Sequence, residues 1–383
     1  MDSTASDEAY QDQILPHVSR TFALTIPQLP LALRVGVTNA YLVCRIADTI
    51  EDQTTSSAAA RLGLLHRFVA VLTGREEASQ LVRDLVPRLS ENTLAAERDL
   101  VVNMARIVRL TASLEAAQRL AIERCAQVMC DGMHQFQCIA SLNGLARMSD
   151  LDDYCYYVAG VVGEMLTQLF CAYSPAIERQ RAGMERLGVS FAQGLQMTNI
   201  LKDVWEDRER GACWLPREVF SRYGVELATL KVEQQPPGFA AGMSELVGVA
   251  HAHLRNALSF TLLIPRSEVG IRRFCLWAIG LAVLTLRRIE HTPGFRSGAQ
   301  VKISHAAVGI TTLLSNASVR QDWLLRRLFA VAATGLPRAQ LGAPYVPGRL
   351  PGTLRADPDF SHSVSHLAHE LPHDLRREGS SGR

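Results

Sequence analysis

Apolar positions along this chain recur mostly with the period of an α-helix, and the pattern predicts an all-α protein. It places helices at about residues 31–52, 58–73, 94–110, 114–140, 150–172, 180–208, 239–261, 268–290 and 318–334. Alternating β-branched runs bounded by tight turns are scarce, and Asn-Gly occurs once, at Asn143-Gly144. The stretch 209–238 holds Gly211, Pro216, Pro236 and Pro237, which reads as a loop with one short helix. No repeat of solenoid period interrupts this picture.

The apolar fraction of 48 % over 383 residues is enough for one large core. We therefore expect a polar N-terminal segment at 1–16, a helical domain at 17–335 and a tail at 336–383. The tail is rich in Pro and Gly and is expected to be largely disordered. Its His362, His366, His369 and His373 would share a helix face, but no Cys stands near them and Pro372 breaks the segment, so they read as solvated rather than metal-binding.

Charge narrows the partners. The net charge of +2 and the absence of a basic stripe interleaved with aromatics argue against nucleic acid. The start, "MDSTASDEAYQDQ", is not a secretory signal. The longest apolar run, Phe274 to Leu286, is shorter than the roughly 20 residues needed to span a bilayer. The expectation is a cytoplasmic protein, at most peripheral on a membrane surface, and a monomer. Its eight cysteines form no CxxC pair and most lie among aliphatic residues, as expected of buried reduced thiols.

Two acidic clusters carry the chemistry. In "VCRIADTIED", Asp48, Glu51 and Asp52 project from one side of a helix end. Like charges there repel each other and the helix dipole, so a positive partner is required. Arg45 supplies part of it. The same D-x-x-E-D spacing returns at Asp203, Glu206 and Asp207, with Lys202 beside it. One copy alone reads as a solvated helix end with internal ion pairs. Two copies, each ending an apolar helix, point to Mg²⁺, which takes one or two carboxylates per ion plus substrate phosphate. The aliphatic helices behind would wall a dry pocket, and a prenyl diphosphate fits that combination.

The chain resembles the squalene and phytoene synthases, the head-to-head prenyl transferases, from about Ser19 to about Thr334. The resemblance rests on "SRTFALTI" at 19–26, "YLVCRIADTIED" at 41–52, "YCYYVAGVVGEM" at 154–165 and "QMTNILKDVWEDRERGACWLP" at 196–216. It implies a single-domain isoprenoid synthase type I bundle around a central cavity. It implies that Asp48, Asp52, Asp203 and Asp207 hold two or three Mg²⁺ ions, supported by Glu51 and Glu206. Arg20 and Arg45 match positions that hold diphosphate. Phe22, Tyr41, Gln196, Asn199 and Lys202 complete the implied substrate contacts. Tyr154 matches a tyrosine assigned to proton transfer during cyclopropane formation. Gly160 and Gly163 form a GxxG, which within a helix reads as close helix packing.

Within the family, three features favour the squalene branch, which joins two farnesyl diphosphates and reduces the product with NADPH. These are the first two motifs, the apolar helix at 272–286, and "GAQVKIS" at 298–304. The last makes Lys302, with Arg45 and Lys202, the implied NADPH contacts. No Rossmann fingerprint is present. Departures weaken the phosphate sites. Lys202 stands where the family has Arg, Ala212 where it often has Arg, and Ser304 where a second cation follows V-K-I. Arg208 and Arg210 are the candidates to replace the missing arginine. Alternatives are a phytoene, dehydrosqualene or hydroxysqualene synthase without a reductant, and a non-catalytic helical scaffold.

Overall fold

Helices and loops make up the computed structural model, which describes residues 3–19, 21–52 and 57–342. Among these there is no strand, only the isolated bridges Leu145–Pro216 and Lys231–Gln234. The described residues belong to one unit, Met1–Pro347; a second, Gly348–Arg383, lies outside them, and so do the four tail histidines.

The first half runs α1 (Ser3–Val18), α2 (Thr21–Thr25), α3 (Leu31–Glu51), α4 (Ala58–Leu72), α5 (Ala78–Leu85), α6 (Ala95–Val102), α7 (Met104–Ser113) and α8 (Ala116–Ile139). The middle holds α9 (Met148–Cys155), α10 (Val161–Tyr173), α11 (Pro175–Glu178), α12 (Arg181–Lys202), α13 (Val204–Glu209) and α14 (Arg217–Ser221). It closes with α15 (Pro237–Leu263), α16 (Val269–His291), α17 (His305–Ser318) and α18 (Asp322–Ala332). Helix α12 packs on α10, α15 and α16, and α8 packs on α3, α4 and α10. Pro237 opens α15 at a position where its missing N–H costs nothing.

Helices α3, α4, α8, α15 and α16 lie where the periodicity predicts them. Three predicted helices are interrupted. The span 94–110 divides at Asn103, and 180–208 bends at Asp203, which closes α12 with its N–H bonded to Asn199. The span 150–172 contains a π-turn at Tyr156–Gly160, immediately after Tyr154. Such turns re-aim the side chains before them and often mark functional sites.

Glycines permit the tight crossing behind this turn. A Cβ at Gly163 would lie 2.1 Å from the Gly188 carbonyl oxygen, and one at Gly160 3.0 Å from Val189 Cγ1. The GxxG therefore serves packing, as its sequence implies.

Helices α1, α2, α5, α11 and α17 lie outside the predicted spans, and α1 and α17 are the longest of them. α1 occupies the segment expected to be merely polar; it buries Ile14, Leu15 and Val18 and pins Asp7 to Arg109 at 2.8 Å. α17 shows apolar residues on its outer side, the reverse of the usual pattern, and the helix predicted from 318 begins at Asp322. The tail expected from 336 starts as an ordered strap. The Pro337 carbonyl lies 2.8 Å from His251 Nδ1, and the Ala339 carbonyl accepts from Arg255.

Met148–Tyr173 and Val269–His291 are long and apolar enough to cross a membrane by length and composition. The second exceeds the apolar run read from the sequence because the helix continues through Arg272, Arg273, Arg287 and Arg288. Most of each is buried inside the bundle.

Candidate active site

Helix α3 delivers the first acids. Ile46, Ala47 and Ile50 are fully buried and fix its rotation; Asp48 and Glu51 stay half-buried beside them, and Asp52 is the C-cap. Arg45 Nη1 lies 3.7 Å from Asp48, and the same guanidinium pairs with Glu97, brought in by α6. Gln137 on α8 donates to Glu51 at 2.9 Å.

The second cluster sits at the bend between α12 and α13. Lys202 Nζ lies 2.9 Å from Asp203, and Arg210 Nη2 donates to Asp207 at 2.5 Å. Glu206 Oε1 accepts from the Gly298 backbone N–H at 2.8 Å, while its buried Oε2 has no partner among the described residues. A Cβ on Gly298 would stand 2.8 Å from Asp203 Oδ1, so only glycine lets that loop approach so closely. Trp205 Nε1 ties the same loop down through the Phe295 carbonyl at 2.9 Å.

The charges of the two clusters act on each other and on a shared tyrosine. Burial pushes the Asp48 carboxyl up to about 7 against the opposing pull of Arg45, with Asp52 and Glu97 raising it further. Burial likewise raises Glu51 to about 8 and Asp207 to about 6. Burial also raises Asp52, and the cation that most opposes this is Arg210, from the other cluster. Tyr154 senses acids of both clusters. It is buried, stacked on Trp214 with centroids 4.1 Å apart and packed on Phe136 at 5.2 Å. Burial holds its phenol well above the usual value, and Glu51, Asp207 and Asp48 add to this.

The donor set fits a hard divalent cation. Buried carboxylates that resist ionisation, together with an unpartnered Glu206 oxygen, call for positive charge. Among the described residues no three His, Cys, Asp or Glu side chains form a ready-made cage. Mg²⁺ commonly binds in this way, through one or two carboxylates, waters and substrate phosphate.

Other predicted residues are distributed unevenly. Arg20 lies outside the described residues. Phe22 and Tyr41 form an aromatic pair at 5.2 Å, and the Tyr41 hydroxyl is committed to the Val18 carbonyl at 2.9 Å. Gln196 and Asn199 lie on α12, seven and four residues before Asp203, and Asn199 is exposed. Lys302 is exposed, four residues beyond Gly298. Arg208 is spent on the Leu230 carbonyl at 2.7 Å, so Arg210, not Arg208, brings a cation to the acids near Ala212.

Sequence reasoning missed Glu97, Gln137, Trp214 and Gly298. Trp214 and Gly298 stood inside quoted motifs, at 196–216 and 298–304, without being singled out. Glu97 and Gln137 carry no local signal, because folding alone brings them from distant segments.

An all-helical bundle that presents two acid-bearing helix ends to one buried tyrosine defines the isoprenoid-synthase class of fold. The chain belongs to the squalene/phytoene synthase family, whose model matches residues 15–307. It is 28 % identical over 298 residues to the squalene synthase of Schizosaccharomyces pombe, covering 77 % of this chain and 62 % of that protein. It is 32 % identical over 302 residues to the squalene synthase of Nicotiana benthamiana, covering 76 % and 68 %. The chain thus spans about three fifths of the length of its yeast relatives. Among solved structures it is similar to a ligand complex of TcSQS, with TM-score 0.71, 21 % identity and coverage of 95 % and 96 %. It is also similar to a dehydrosqualene synthase complex, with TM-score 0.58, 21 % identity and coverage of 83 % and 98 %.

Proposed function

We propose that this chain is a prenyl transferase of squalene synthase type. It joins two farnesyl diphosphates head to head into presqualene diphosphate and reduces that intermediate to squalene. The observation that carries this reading is the pair of acid clusters, with Arg210 on Asp207 and felt by Asp52, around buried Tyr154.

Asp48, Asp52, Asp203 and Asp207 would hold the Mg²⁺ ions, with Glu51 and Glu206 in support, and the metal supplies Lewis-acid stabilisation of the departing diphosphate. Arg210 and Arg45 add fixed positive charge at the same mouth. Tyr154 stays a protonated phenol here, so it acts as a hydrogen-bond donor. It orients a released diphosphate oxygen, and that oxygen removes the proton as the cyclopropane closes. Apolar faces of α3, α10, α12 and α16 keep water from the carbocations, which would otherwise end as alcohols.

For NADPH, the hydride donor of the squalene branch, the fit is thinner. Arg45 is engaged by Glu97 and Lys202 by Asp203, which leaves Lys302 as the predicted residue best placed to meet a phosphate. Ser304 uses its hydroxyl to cap α17, accepting from Ala307 N–H at 3.2 Å. This favours a second reading, a dehydrosqualene or hydroxysqualene type of product formed without a reductant.

The test is to incubate the purified chain with farnesyl diphosphate and Mg²⁺, with and without NADPH, and identify the hydrocarbons. Squalene formed only with NADPH supports the first reading. A product indifferent to NADPH supports the second, and no product with intact folding overturns both.

A further inference from the structure

Helix α17 is built inside out. Its outward positions 306, 309, 310, 313, 314 and 317 are Ala, Gly, Ile, Leu, Leu and Ala, all exposed. Ile310 is 58 % exposed and Leu313 68 %. The half-buried side carries Ala307 and Val308 in the first turn and then Thr311, Thr312, Ser315 and Asn316. That side meets α16. Thr311 abuts Gly280 so closely that a Cβ there would lie 2.5 Å from its methyl group, and Asn316 Oδ1 accepts from Trp277 Nε1 at 3.3 Å. These contacts fix the rotation of α17. A surface helix normally hides its apolar stripe; this one presents it.

Neighbouring α18 packs on both α16 and α17. Its exposed face reads Trp323, Arg326, Arg327, Ala330 and Val331. Charge around the pair has one sign. Between 296 and 336 the sequence has Arg296, Lys302, Arg320, Arg326 and Arg327 against a single acid, Asp322. Asp322 is already bound by Arg266 and Arg272. Arg320, Arg326 and Arg327 form no ion pair among the described residues. An apolar face with an exposed tryptophan and a basic border is the composition of a helix that lies in a bilayer interface.

We propose that the outer face of α17, with Trp323, Arg326 and Arg327 of α18, docks on an anionic lipid bilayer. The basic border selects this occupant over a second copy of the chain, because two such faces brought together would oppose arginines to arginines. This face includes no residue of the proposed active site, and flotation reads binding rather than turnover.

The experiment is flotation of the full chain with phosphatidylcholine vesicles and with vesicles that also contain phosphatidylglycerol. The wild type is expected to float with the anionic vesicles, and added salt should weaken this. Leu313→Glu/Leu314→Glu should lower the bound fraction about tenfold. Arg326→Gln/Arg327→Gln should weaken binding to anionic vesicles by about tenfold or more, with little effect on neutral ones. Because the substituted leucines face outward, circular dichroism should remain that of the wild type; if it does not, Leu313→Gln replaces the double variant in the same assay. The proposal is overturned if the wild type floats with neither vesicle. It is overturned if the α17 variants bind as well as the wild type, which would place the contact elsewhere, including the residues after 342. It is also overturned if light scattering shows a wild-type dimer that these variants dissociate.

Discussion

Arg210 donates to Asp207 at 2.5 Å from the end of α13, and its charge reaches Asp52 at the end of α3. One side chain thus serves both acidic clusters, three residues after the second and far in sequence from the first.

Replacing Arg210 should therefore affect diphosphate binding more than folding. Arg210→Ala is expected to raise KM for farnesyl diphosphate about tenfold, the size of a lost charge-assisted contact. Arg210→Lys should recover part of this. Arg208, bound to backbone carbonyls, is the control: Arg208→Ala should leave KM within about twofold and lower the melting temperature instead. Equal KM effects in steady-state kinetics would remove Arg210 from the site.

The acids themselves predict a reversal between metal-free and metal-loaded protein. Burial raises Asp48 and Asp207, so each charge destabilises the fold when no cation is present. Asp48→Asn and Asp207→Asn should each raise the metal-free melting temperature by about 2 °C. Mg²⁺ should raise the wild-type value and leave the variants nearly unmoved, while turnover falls by at least about a hundredfold. Thermal melts with and without Mg²⁺ decide this; variants that melt lower in the absence of metal would show that the carboxylates are structural.

The site was legible in proportion to how local it is. Asp48 to Asp52 and Asp203 to Asp207 are visible because a helix turns sequence spacing into a shared face. Glu97 and Gly298 were not, because α6 and the 292–304 loop reach the acids only through tertiary folding. The same logic covers the fold. Helix α15 buries a regular apolar face and was read correctly, whereas α17 inverts that pattern and α1 hides its few apolar residues near its end. The bend at Asp203 left no trace, since aspartate is compatible with both a helix interior and its cap.

Tyr154 offers a sharper kinetic test. Its ring is held by Trp214 and Phe136, so Tyr154→Phe keeps the packing and removes only the hydroxyl. We expect kcat to fall about a hundredfold, a typical share for a positioned proton-transfer group, with the melting temperature unchanged. Trp214→Ala should lower both. If Tyr154→Phe turns over normally, the hydroxyl has no part in the reaction and Tyr154 is a packing residue.

Arg272 tests the support of the proposed docking face. Its side chain is fully buried and is held by the Ile264 carbonyl at 2.9 Å and by Asp322 Oδ1 at 2.5 Å, while Asp322 also binds Arg266 at 2.7 Å. Asp322→Asn leaves the arginine charge without its counter-ion. A fully buried pair would cost about 3–5 kcal/mol when broken, and partial solvation of Asp322 reduces the expected loss to about 2 kcal/mol. The sign with pH follows from the same contacts. Burial raises the Asp322 carboxyl, but hydrogen bonds from Arg266 and Arg272 outweigh it and hold the group below its usual value. Its contribution is therefore complete above the unfolded value of about 3.9 and fades as pH falls through the lower folded one. Melting curves of wild type and Asp322→Asn should lie apart at pH 7 and converge toward pH 3. Curves that stay parallel across that range would show that the Asp322 charge contributes nothing to holding α18 on α16.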